Sequence, residues 1–290
     1  RRAPLDSGDA VMPMNFLTRA ALLALCALAF GAAPLLAANA EPANGDRDDY
    51  TDTYRLLVEQ RAAAVVAVKY VITLAAGGQE QRNEDRTQGV LVSADGLVLV
   101  SARAVSFDVS ALAQRGQTPG GPIVANSSDF RVRLPGSDEW RTADLVTRDT
   151  ELGIAWLRVR DAKGQPYVDF ADLAEPAPGR VFYTLLRTSD EWGAVPLVRP
   201  GMILGETRVP RRSLLVDGMP GLAFDAEGRP MGYVDIDLAA MTRSQGHGFG
   251  LDMADMVMHM LPARRVAAAT KQAAALPVVR RDEEGGAVAP

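Results

Sequence analysis

The chain has 290 residues, 48% of them hydrophobic and 23% charged, with a net charge of -5. It is long enough for one large core or two small ones, and too apolar to be largely disordered. The acidic balance lacks the clustered Lys and Arg that bind phosphates, so nucleic acid is not an expected partner.

Residues 1–13 precede Met14, the expected translation start. From there run Arg19, the apolar stretch Ala20–Phe30 and small residues ending Ala38-Asn39-Ala40. That order is the layout of a secretory signal peptide cleaved after Ala40. A retained anchor is the alternative, against which Gly31 and Pro34 interrupt the apolar run. Cleavage would leave no stable membrane span and an exported protein, whether periplasmic, envelope-associated or secreted. The single cysteine, Cys26, lies in this leader. The rest of the chain therefore offers no disulfide, no thiol nucleophile and no thiolate metal site.

Residues 41–62 read as an acidic linker, Glu41–Asp52, and a short helix from Tyr54. The β-branched run Ala63–Leu74 is the first strand expected. Ala75–Arg86 is polar and reads as a loop. Gly89–Val105 holds two apolar strands about the turn Ser93-Ala94-Asp95-Gly96. Phe107–Asp129 reads as a surface insertion. Phe130–Leu134 and Thr142–Thr147 are strands about Pro135-Gly136, and Ile154–Val159 is another. Asp161–Pro166 is the expected linker between a unit at 63–165 and one at 166–262.

Val168–Phe170, Arg180–Leu185, Ala194–Val198, Gly201–Thr207 and Ser213–Val216 are expected to be short strands of the second unit. Val216–Tyr233 (VDGMPGLAFDAEGRPMGY) then reads as a tight loop, a strand Leu222–Phe224, a turn Asp225–Arg229 and a strand from Met231. Gly246–Leu251 is a closing strand. Asp252–Leu261 reads as a helix with Asp252 as N-cap, its Met253, Met256, Met258 and Met260 serving packing. Residues 263–290 read as a frayed helix or tail. About a dozen short strands between turns suggest β-barrels.

Four of these segments, in order between about residue 60 and residue 262, resemble the trypsin-like serine proteases of the HtrA type. GVLVSADGLVLVSARAV resembles the family's strand, Asp-Gly turn and strand that lead to the catalytic histidine, which aligns with Arg103. IAWLRV resembles the strand that follows the catalytic aspartate, which aligns with Gly153. Asp217-Gly218-Met219-Pro220-Gly221 lies on the family's Gly-Asn-Ser-Gly-Gly, putting Met219 at the nucleophile. The closing strand is the fourth match. The resemblance implies a mainly β fold of two antiparallel six-stranded barrels with short terminal helices.

It also implies a lost activity. A serine protease needs a hydroxyl nucleophile, a base that titrates near neutrality and a carboxylate to hold that base. Met219, Arg103 and Gly153 supply none of these, since a guanidinium keeps its proton. Asp217 stands where the oxyanion loop has glycine, and Pro220 lacks an amide hydrogen. Shifting the register does not restore a His, Asp, Ser order. His247 and His259 both follow the loop, and no serine lies between Ser213 and Ser244.

The expectation is an exported pseudoprotease that binds an extended peptide or protein by strand addition. Two alternatives stay open: a hydrolase with relocated groups, His247 with Ser244 or Ser213, and a purely structural module. Arg103 is expected to pair with an acid, Asp217 first and Asp149 second. No cofactor or metal motif is present.

Overall fold

The computed structural model describes residues 45–76, 79–105, 124–208, 213–236 and 258–278. Its contacts divide the chain into a unit Arg1–Asp46, of which only 45–46 are described, and a unit Arg47–Pro290 that holds both barrels. The expected leader, Gly246–Leu251, Ser244 and His247 all lie outside the described residues.

Among the described residues, twelve strands close into two antiparallel barrels. The first takes β1 (Val65–Ala76), β2 (Gln79–Leu91), β3 (Leu97–Ser101), β4 (Val124–Arg133), β5 (Trp140–Asp149) and β6 (Ile154–Val159), in the order β1-β2-β3-β6-β5-β4. The second takes β7 (Val181–Arg187), β8 (Pro196–Thr207), β9 (Ser213–Asp217), β10 (Gly221–Phe224), β11 (Pro230–Asp235) and β12 (Met258–Pro262), in the order β10-β11-β12-β9-β8-β7. Helix α1 (Gly45–Arg61) precedes them and α2 (Ala263–Ala274) follows.

Alternation builds the barrel interiors. Val66, Val68 and Tyr70 of β1 are buried, while Ala67, Lys69 and Val71 between them are only half-buried. One apolar cluster fills the first barrel and continues across the seam to Leu185, Val198, Leu222, Phe224 and Tyr233. A second, around Phe182, Ile203, Met231 and Val234, fills the second barrel. Each large side chain so buried contributes about 1.5–3 kcal/mol.

Several elements differ from the sequence reading. Within the expected loop Ala75–Arg86, residues 75–76 and 79–86 are strand, because β1 and β2 pair without a break from Val65↔Val90 to Ala76↔Gln79. The outer part of β2 is exposed and polar, so it carries no hydrophobic signal. Its backbone ladder and a Lys69–Glu84 ion pair at 3.7 Å hold it. Helix α1 begins inside the expected linker, at Gly45. Val168–Phe170 is not a strand, although the Val168 N–H donates to the Leu91 carbonyl. Residues 196–198 of the expected Ala194–Val198 and all of Gly201–Thr207 belong to one strand, β8, while Ala194 and Val195 precede it.

Met258–Pro262 is strand β12 and not the end of a helix. It sits between β11 and β9, where the second barrel needs a strand to close, and that pairing overrides the helix preference of its methionines. Met260 is accordingly buried in the barrel core. The helix begins only at Ala263, and it is regular through Ala274.

Candidate functional site

Strand β3 ends at Ser101 and runs into a single 3-10 turn, Ala102–Ala104, which carries Arg103. The Ala102 N–H donates to the Gly153 carbonyl at 2.9 Å, so the turn is tied to the loop before β6. Gly153 has φ +73, a left-handed conformation that glycine adopts without strain. A Cβ built on Gly153 would lie 3.2 Å from Oδ2 of Asp235, the last residue of β11. Arg103 and Gly153 thus converge on a carboxylate from the other barrel.

Arg103 does not pair with Asp217. Its Nη2 donates to Asp235 Oδ1 at 2.6 Å, and Ser101 Oγ donates to Oδ2 at 3.3 Å. The backbone N–H of Ile236 also donates to Oδ1, at 2.9 Å. Asp217 is exposed at the end of β9, paired through the backbone with Met202. Asp235, the last residue of β11, holds its carboxylate against the guanidinium instead. Burial raises the Asp235 pKa above the ordinary carboxylate range, and the Arg103 charge and the three hydrogen bonds pull it back down.

Two tyrosines border the pair. Burial and the Asp85 carboxylate push Tyr70 up to about 12, and its hydroxyl donates to Asp85 Oδ2 at 3.2 Å. Burial also raises Tyr233, with Asp235 adding to the effect; the Arg103 charge acts in the opposite sense on both phenols.

The loop expected to hold the nucleophile lies at the same end of β10–β11. Gly221 faces Val234 in the ladder, one position before Asp235. Met219 is two residues ahead of Gly221 and is 39% exposed. Its carbonyl accepts from Thr184 Oγ1 at 3.1 Å, which turns that oxygen toward β7. Gly218 is required by packing, since a Cβ there would lie 2.6 Å from the Phe182 ring. Pro220 is half-buried between them.

Sequence reasoning missed three contributors. Asp235 carried a signal, a carboxylate at the end of the apolar run Met231–Val234. Ser101 carried none. The third is His259, half-buried on β12 directly opposite Asp235 in the β11–β12 ladder. Its Nδ1 lies 2.9 Å from Ser213 Oγ on β9. With the ring proton on Nε2, Ser213 donates this bond. Among the described residues, no group of three or more His, Cys, Asp or Glu side chains could hold a metal ion. Likewise, no described helix is long and apolar enough to cross a membrane.

No family model and no curated protein sequence matches the chain. Among solved structures it is similar to an HtrA-type protease, an AlgW variant with a tripeptide, at 16% identity and a TM-score of 0.47. The match covers 76% of this chain and 62% of that one, so this chain spans less than two thirds of that protein's length. A likeness of this size carries no argument.

Proposed function

We propose that this protein is an exported module with a trypsin-like double barrel that has no peptidase activity and binds an extended peptide or protein segment. The observation that carries the reading is the Arg103–Asp235 pair at 2.6 Å, closed across the seam where the resemblance puts base and acid. A side chain at residue 153 would begin 3.2 Å from the Asp235 carboxylate, tighter than ordinary contact. A guanidinium holds its proton at every accessible pH and cannot accept one from a nucleophile. Met219 offers a thioether in place of a hydroxyl. The seam between barrels and the exposed Met219 loop remain as a binding surface, with strand addition as the mode.

The test is turnover of casein and of a fluorogenic peptide library by the wild type and by Met219→Ser. Neither should cleave, because a lone serine would still lack a base. Pull-down of extended peptides from a displayed library should succeed with the wild type and weaken on substitution of Met219 by Glu. Measurable turnover by the wild type would overturn the reading.

A second reading rests on Ser213 and His259, whose 2.9 Å contact is the geometry of a nucleophile and its base. Asp235, the carboxylate opposite His259 in the ladder, is taken up by Arg103 and Ser101. Stoichiometric labelling of Ser213 by a fluorophosphonate, abolished by His259→Ala, would favour this hydrolase over the pseudoprotease.

A further inference from the structure

A cavity of about 660 Å³ opens elsewhere on the seam, and it shares no residue with the Arg103 site. Its walls are the start of β1, the β4–β5 turn and the β7–β8 loop, with Val66, Arg133, Asp138, Arg187 and Asp190 among the lining residues. Val65 and Val66 pair with β2, but the β1–β4 ladder begins only at Ala67↔Arg133. Among the described residues, the start of β1 therefore has no strand on that side. Arg187 fills part of the gap. Its Nε donates to the Val65 carbonyl at 2.8 Å, Nη1 to Ala194 at 3.0 Å and Nη2 to Ala62 at 2.5 Å. Three of its five N–H groups are used, and one remains on each terminal nitrogen.

The charges around the cavity are unevenly matched. Lys69 and Arg86 share Glu84, and Arg86 and Arg133 share Asp190. The cations of this group also surround Trp140, with Lys69 Nζ at 4.9 Å, Arg133 at 5.3 Å and Arg86 at 5.8 Å from the ring centre. Among the described residues Arg187 has no carboxylate within ion-pair distance. Burial, and then the Arg133 charge, lower its pKa, which is the response of a cation held without a counterion. Asp138, exposed on the rim, forms no ion pair with it.

We infer that this cavity is a binding site for a carboxylate carried on a short peptide, received by the two spare N–H groups of Arg187 with Arg133 beside them. A guanidinium presents parallel donors that match a carboxylate. The volume lies in the range of ligand pockets and suits a few residues of chain. The inference does not depend on the function proposed above.

The test is titration of the full chain, read by tryptophan fluorescence and calorimetry, with three acetylated tetrapeptides. One is tetra-alanine with a free C-terminal carboxylate, one is its amide, and one is an amide carrying a single glutamate. A carboxylate peptide should bind about tenfold or more tighter than the neutral amide, and the two acidic arms tell a chain end from a side chain. Arg187→Lys should weaken that binding about tenfold while keeping the charge, because it loses the paired donors. Arg187→Gln should abolish it, but could also loosen the β7–β8 loop. Asp138→Asn, at the exposed rim, should leave the fold intact and tighten binding about two- to fivefold by removing a like charge. Equal affinity for acidic and neutral peptides, or no response to Asp138→Asn, would overturn the site. Binding of inorganic phosphate but of neither acidic peptide would overturn the ligand class.

Discussion

Asp235 is a carboxylate whose burial works against its charge, and Arg103 is what keeps that charge tolerable. A carboxyl held above its unfolded pKa keeps its proton longer in the folded state. Its contribution to stability is therefore greatest below the unfolded pKa and is lost as pH rises through the folded value. In the wild type the guanidinium and three hydrogen bonds limit that loss. Arg103→Ala removes the main counterweight, so the Asp235 pKa should climb further and stability should decline over a wider span toward neutral pH. Breaking a buried pair by deleting one partner costs about 3–5 kcal/mol, but Arg103 is 37% exposed, so about 1–3 kcal/mol at neutral pH is expected. Urea midpoints of the two proteins from pH 4 to pH 8 would check this; parallel pH profiles would show that Arg103 does not hold the carboxylate. Replacing both residues with leucine should recover much of the loss, since no charge is then left unpaired.

At the scale of elements, α2 is fastened to the first barrel by one buried bond. Trp156 Nε1 on β6 donates to Thr270 Oγ1 at 3.1 Å, with Val266 and Ala273 in the same apolar cluster. Thr270→Val keeps the shape and strands the indole N–H, which should cost about 1–3 kcal/mol, whereas Thr270→Ser should be nearly neutral. Chemical unfolding followed by tryptophan emission would measure both. Elements with an inward stripe of their own, such as β3, β6, β10 and β11, were legible in the sequence because each is a short apolar run between turns. The outer part of β2 was not, since an exposed polar strand is specified by its partner's register and not by its own pattern. β12 misled for the opposite reason, as methionine and leucine suit either state until the open place between β11 and β9 decides. At the site, Arg103 and Gly153 were each legible from an apolar strand beside them, the one before Arg103 and the one after Gly153. Their acidic partner was not, because an ion pair 132 residues apart depends on how the barrels face each other.

On the scale of the whole molecule, each terminal helix is bonded through side chains to the barrel built from the other end of the chain, although α2 also packs on β11 and β12. Helix α1 reaches the second barrel, where Tyr50 Oη donates to the Val198 carbonyl at 3.0 Å and Arg61 Nε to that of Gly228 at 3.0 Å. Helix α2 reaches back to the first through Trp156. A chain ended at Pro262 would keep all twelve strands, yet lose the Val266 packing and the Thr270 bond. Together these are worth about 3–5 kcal/mol, against a typical total of about 5–15 kcal/mol. Such a chain should show red-shifted tryptophan emission and a broadened thermal transition; a wild-type melting curve would show that α2 is dispensable. During synthesis the same arrangement sets an order of events. The first barrel's strands are all made by Val159, but the residue that meets Trp156 is added 114 positions after it. The barrel that leaves the ribosome first is thus sealed last, and the nascent chain carries an open indole face until its final helix arrives.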